Sequence, residues 1–217
     1  MAIYLKKTNK EGVKKIKNRN RTIPLLFAVA AALLIVFSLQ TDKRTAFMKE
    51  VKEVFLPEKE VVQSIEGENE ETQLQLSEGK NSEYVIYVDE TRYKQIRNET
   101  SDIITPIIPV PANYPDVTME IRQIPDEKPE VLVSKIEAEL KKEFPELLEV
   151  EEVTEPVKGF QLHGSAGNEA ESKIVNAYVI SNGKEGSFVI TQFYFLEAAE
   201  GHGARYYHML KTFKIVE

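Results

Sequence analysis

The densest group of chemistry-capable side chains is Glu197-Ala-Ala-Glu-Gly-His-Gly-Ala-Arg-Tyr-Tyr-His208, two carboxylates, two histidines and one arginine beside a Gly-x-Gly turn. Zinc would want two histidines on one helix face, at i and i+4. His202 and His208 are six residues apart and His202 falls before the following helix, so no metal is assigned. Two readings remain. In the first, Glu197, Glu200, His202, Arg205 and Tyr206 form a binding surface at a helix N-terminus, where free N–H groups favour an anion. In the second the stretch is structural. Gly201 and Gly203 then permit positive φ at a tight strand-to-helix turn, His202 and Glu200 bond nearby backbone, and Arg205 pairs with Glu197 or Glu200.

Catalytic chemistry finds no comparable set. His163 and Ser165 lie two apart in a strand, but no Gly-x-Ser-x-Gly elbow surrounds them, and i, i+2 spacing alone does not make a nucleophile and base. The chain has no cysteine, which removes disulfides, Cys-liganded zinc or iron–sulfur sites and a thiol nucleophile. No catalytic residue and no cofactor is assigned, and the protein is not expected to be an enzyme.

The elements that must hold the Glu197–His208 stretch alternate mainly with a period of two. Thr72–Leu76, Val117–Arg122, Gly159–His163 and Ile174–Ile180 read as strands, and Tyr84–Val88 as a continuous β-rich run. Phe188–Phe195 is apolar on both faces and belongs at the centre of a sheet. It is joined to the preceding strand through Ser181-Asn-Gly-Lys-Glu-Gly186, a hairpin signal. Ile103–Pro111 is apolar but carries three prolines, which makes it an edge or irregular segment. Leu132, Ile136, Leu140 and Phe144 form a helical stripe over 129–144, and Tyr206, Met209, Leu210 and Phe213 another over 203–213. The expected fold is α+β, an antiparallel sheet with two main packed helices, preceded by one N-terminal transmembrane helix.

That N-terminal expectation rests on charge and hydropathy. Residues 1–22 hold eight Lys/Arg against one acid, a local +7, followed by Ile23–Leu39, 17 residues without a charge. At about 1.5 Å per residue the run approaches the ~30 Å hydrocarbon core. The order of boundaries is a basic cytoplasmic tail (1–22), a transmembrane helix (23–40), a juxtamembrane helix and acidic linker (41–71) and an α+β domain (72–217). The acidic run Glu66–Glu71 reads as a linker or a hairpin tip. A basic flank before the span places the N-terminus inside and the long remainder outside the cell membrane. A cleaved signal peptide shares the basic start and apolar middle. Of 28 Lys/Arg and 35 Asp/Glu, 20 and 34 fall from Ile23 onward, a formal -14 that argues against nucleic acid as partner.

Val117–Arg122, Glu155-Pro-Val-Lys-Gly-Phe160, the Tyr178–Phe195 hairpin and Met209–Phe213, in that order, resemble the Mog1/PsbP-like superfamily, including its membrane-associated bacterial members. The resemblance covers roughly residues 72–217. It implies the same α+β fold and a small binding or assembly module without chemistry, and no residue set transfers with it. The chain departs from that pattern in its anchor and in the insert Leu196–Gly203. The expected function is a single-pass, membrane-anchored module. It would contact lipid through its anchor and an envelope protein through its outer domain. The alternative is a ligand or metal-ion sensor using the Glu197–His208 corner.

Overall fold

The computed structural model describes residues 55–80 and 83–216. The basic tail, the expected transmembrane helix and most of the juxtamembrane helix lie outside the described residues. Among the described residues no helix is long and apolar enough to cross a membrane. They form an α+β unit dominated by antiparallel sheet, with two helices.

The strands form two sheets rather than one. The small sheet has the order β1 (Glu58–Ile65), β2 (Glu68–Glu78), β3 (Tyr84–Val88) and β12 (Lys214–Ile215). The large one runs β4 (Tyr93–Arg97), β5 (Ser101–Pro106), β6 (Thr118–Ile124), β11 (Ser187–Phe195), β10 (Lys173–Ser181), β9 (Gly159–Ser165) and β7 (Glu146–Leu147). A further strand, β8 (Glu151–Val153), pairs with β9 off this path. Helix α1 spans Pro129–Leu140 and helix α2 Ala204–Leu210.

The large sheet is apolar on both faces because alternate residues of its central strands are used on opposite sides. Ala177, Val179, Val189 and Leu162 meet Leu132, Val133 and Ile136 of α1. On the other face Tyr178, Phe188, Ile190, Met119 and Ile104 pack with Tyr84, Ile86 and Val88 of β3, and with Tyr206, Met209, Leu210 and Phe213. β11 lies between β6 and β10, the central position expected from its two apolar faces.

Three local expectations change. The segment from Glu58 to Glu71, read as helix and linker, is β1, a turn and the start of β2. Glu66 and Gly67 both take positive φ, 52° and 80°, in a two-residue hairpin turn of the kind that matches strand twist. The acidic run is thus a hairpin tip, and the folded unit begins before Thr72. Second, Ile103–Pro111 reads as an edge or irregular segment, yet only residues 107–111 are irregular and its first part lies in β5, an interior strand hydrogen-bonded to β4 and β6. Its only proline, Pro106, is its last residue, where a missing N–H costs the ladder little. Third, α1 ends at Leu140, and the Phe144 N–H still bonds the Leu140 carbonyl at 2.9 Å. Phe144 therefore remains on the apolar stripe and is fully buried.

Candidate functional site

The Glu197–His208 stretch follows the end of β11 as three successive turns of different pitch. Leu196–Ala198 is a 3₁₀ turn, Ala199–Gly203 a π turn, and α2 starts at Ala204. Gly201 and Gly203 are not left-handed; Gly203 has φ -60°, and among the described residues the positive-φ glycines are Gly67 and Gly183. Close approach explains Gly203 instead, since a Cβ there would sit 3.0 Å from the Tyr194 ring.

The five candidate residues separate into two groups. Glu197 and Glu200 are exposed. His202, Arg205 and Tyr206 turn inward against β2 and the β3–β4 turn. Tyr206 is fully buried, donates to the Ile104 carbonyl at 3.1 Å and lies 5.3 Å from the Tyr93 ring. It belongs to the core and is not available to a partner. Arg205 pairs with Glu70 at 2.8 Å, and not with Glu197 or Glu200. The His202 imidazole bonds the Tyr93 hydroxyl through Nδ1 at 2.7 Å, rather than the backbone.

Residues far away in sequence complete this junction. Glu70 is shared, its second oxygen accepting from Arg92. Arg92 also bonds Asp89 at 2.9 Å, and Asp89 closes its own turn by accepting from the Thr91 N–H at 3.1 Å. The chain Asp89–Arg92–Glu70–Arg205 therefore ties β2 to the start of α2. Asp89-Glu-Thr-Arg92 has a turn signature in sequence, but nothing local links it to Glu70 or Arg205.

Burial, followed by the nearby Arg205 charge, lowers the His202 pKa from its ordinary 6.5. Desolvation raises that of Tyr93. The imidazole is accordingly neutral and the Tyr93 hydroxyl keeps its proton. A histidine whose folded pKa is depressed binds its proton less readily than in the unfolded chain. Stability is therefore full above pH 6.5 and declines as pH falls toward the folded pKa. The thermal midpoint of the chain should drop between pH 7.5 and 5.5, and His202→Gln should flatten that slope; an unchanged slope in the variant would place the titration elsewhere. His208, also lowered chiefly by desolvation, acts in the same direction.

The arrangement holds polar groups against one another and offers no reacting pair. His163 bonds Asn176 at 2.7 Å while the Ser165 hydroxyl bonds the Gly167 carbonyl, so those two do not form a nucleophile and base. Among the described residues no group of three or more His, Asp or Glu converges so as to hold a metal ion. A scan against protein-family models and a search of curated proteins return no match for this chain.

Proposed function

We propose that the protein is a single-pass, membrane-anchored, non-enzymatic binding or assembly module. Its N-terminus would be cytoplasmic, and its α+β unit would act outside the membrane on an envelope protein. The basic flank and uncharged 17-residue run support the anchor and its orientation. The resemblance to Mog1/PsbP-like proteins supports a binding role.

The observation that carries the binding face is the loop after β5. Ile108 is 83% exposed and Ile107 44%, beside the polar junction. The Ile107 N–H bonds the Arg92 carbonyl at 2.8 Å, which brings the loop near Glu70 and the hairpin tip. Pro57 lies at the opposite end of that hairpin, its carbonyl accepting from the Leu76 N–H at 2.8 Å. An exposed apolar loop beside the Arg92–Glu70 pair suits a partner surface with an apolar centre.

Ile108→Glu places a charge on this loop without touching the core. Purified from membranes, the variant should lose co-purifying protein that the wild-type chain retains; an identical set of partners would sink the face. Arg205→Glu is a poor probe of binding, because Arg205 holds Glu70 and its reversal acts on folding.

A further inference from the structure

The loop that leaves β5 contains Ile108-Pro109-Val110-Pro111, and a proline at every second position leaves its backbone little choice. A proline ring holds its own φ near about -65° and keeps the residue before it out of the helical region. Residues 108–111 are thereby confined to polyproline-type backbone, a left-handed helix with about three residues per turn and no internal hydrogen bonds. Exposure follows that period. Ile107 is 44% exposed and Val110, one turn on, is half-buried against the core, whereas Ile108 is 83% exposed and Pro109, Pro111 and Ala112 also lie in solvent. One side of the helix roots the loop and the other two stand free.

Both ends are held. The Ile107 N–H bonds the Arg92 carbonyl, and at the far end the Tyr114 N–H bonds the Pro111 carbonyl at 2.9 Å while the Tyr114 ring lies 4.5 Å from that of Phe195. Between these anchors the Ile108, Pro109 and Val110 carbonyls accept no hydrogen bond among the described residues. The loop is therefore a preset apolar ridge with a row of open acceptors, and it has little conformational freedom to lose on binding. A flat apolar surface would cover Ile108 but leave those carbonyls without donors, and the hydrocarbon of a lipid layer would do the same. An added strand needs N–H groups at regular intervals, which Pro109 and Pro111 lack. A groove of aromatic side chains meets both demands. Its ring faces pack between the ridges of such a helix, and a Trp N–H or Tyr O–H donates to the carbonyls.

We propose that the protein partner reads this loop as a polyproline-type ligand, in a groove lined by Trp, Tyr or Phe that receives Ile108 and Pro111 on one side of the helix and Pro109 on the next. The assignment rests on the Ile107–Ile108 face of the proposed function and adds the chemistry of the surface that recognises it.

The test uses the full chain in its own membranes. A benzophenone-bearing amino acid replacing Ala112, which flanks the ridge without forming it, should cross-link on illumination to a protein segment that contains Trp, Tyr or Phe. A cross-link to lipid, or to a segment without an aromatic residue, would overturn the groove. Pro109→Ala combined with Pro111→Ala frees the backbone but keeps both isoleucines, so the partner retained per chain should fall roughly tenfold. Both prolines are exposed and outside β5, so the thermal midpoint should stay in place, and the cross-link depends on neither substitution. Comparison with Ile108→Glu separates the two readings. Loss of the partner with Ile108→Glu but its retention by the proline variant would overturn the polyproline assignment and leave the face standing, whereas retention by both would overturn the face and this assignment with it.

Discussion

Tyr206→Ala is expected to lower the unfolding free energy by about 4 kcal/mol, the scale for deleting a large buried aromatic side chain. The ring is fully buried, lies against Tyr93 and sits among Ile104, Met209 and Leu210 in the core beneath the large sheet. The hole would be bounded by β-sheet on one side and by α2's own backbone on the other, neither of which can collapse into it. Tyr206→Phe keeps the volume and removes only the bond to the Ile104 carbonyl, so it should cost about 1 kcal/mol. Denaturant unfolding of the full chain, followed by circular dichroism with matched slopes, separates the two. A loss below about 1.5 kcal/mol for the alanine variant would contradict the core position, since buried aromatic truncations run well above that.

The second large effect concerns Glu70, the one acceptor shared by Arg92 and Arg205. Glu70→Gln leaves Arg205, whose side chain is only 17% exposed, without its carboxylate. Breaking a buried pair costs about 3–5 kcal/mol and an exposed one under about 1. Glu70 is 26% exposed and Arg92 43%, so about 2 kcal/mol is expected for this intermediate case. Combining Glu70→Gln with Arg205→Met should recover part of the loss, because the double variant no longer buries an unpaired guanidinium. Purely additive losses would show that the two side chains do not hold the junction together. The same reasoning explains why a charge reversal at Arg205 reports on folding before it can report on a partner.

Much of the sheet was readable in advance, for identifiable reasons. β10 and β11 have long apolar runs separated by Asn182-Gly183, and a strand with two apolar faces has nowhere stable to lie except the interior of a sheet. α1 was equally legible from Pro129 and its i, i+4 stripe, except at its last turn. β4, Tyr-Lys-Gln-Ile-Arg, was not, because an edge strand with a polar outer face carries too little apolar signal. β1 was masked by Glu58, Lys59 and Glu60, whose charges and neighbouring valines fit a helical pattern as well as an extended one. The two turns before α2 read as one tight turn, because paired glycines signal permissive backbone without saying which pitch will use it.

The site divides along the same line. The amino-acid order alone determined the charge split, the lack of a cysteine or hydrolase set, the antiparallel α+β class and a polar stretch at Glu197–His208, all properties of composition or near-neighbour spacing. Which of those polar residues face solvent was decided only by tertiary structure. Glu70 and Arg205 are 135 positions apart, as Tyr93 and His202 are 109, and no local rule connects them. They meet because burying β3 and α2 against the large sheet removes apolar area from water. The polar groups carried along with those elements must then bond one another or remain unsatisfied. At Glu70 the packing pairs both arginines but leaves the Arg205 Nε without a partner, and at Asp102 it leaves an oxygen without a donor.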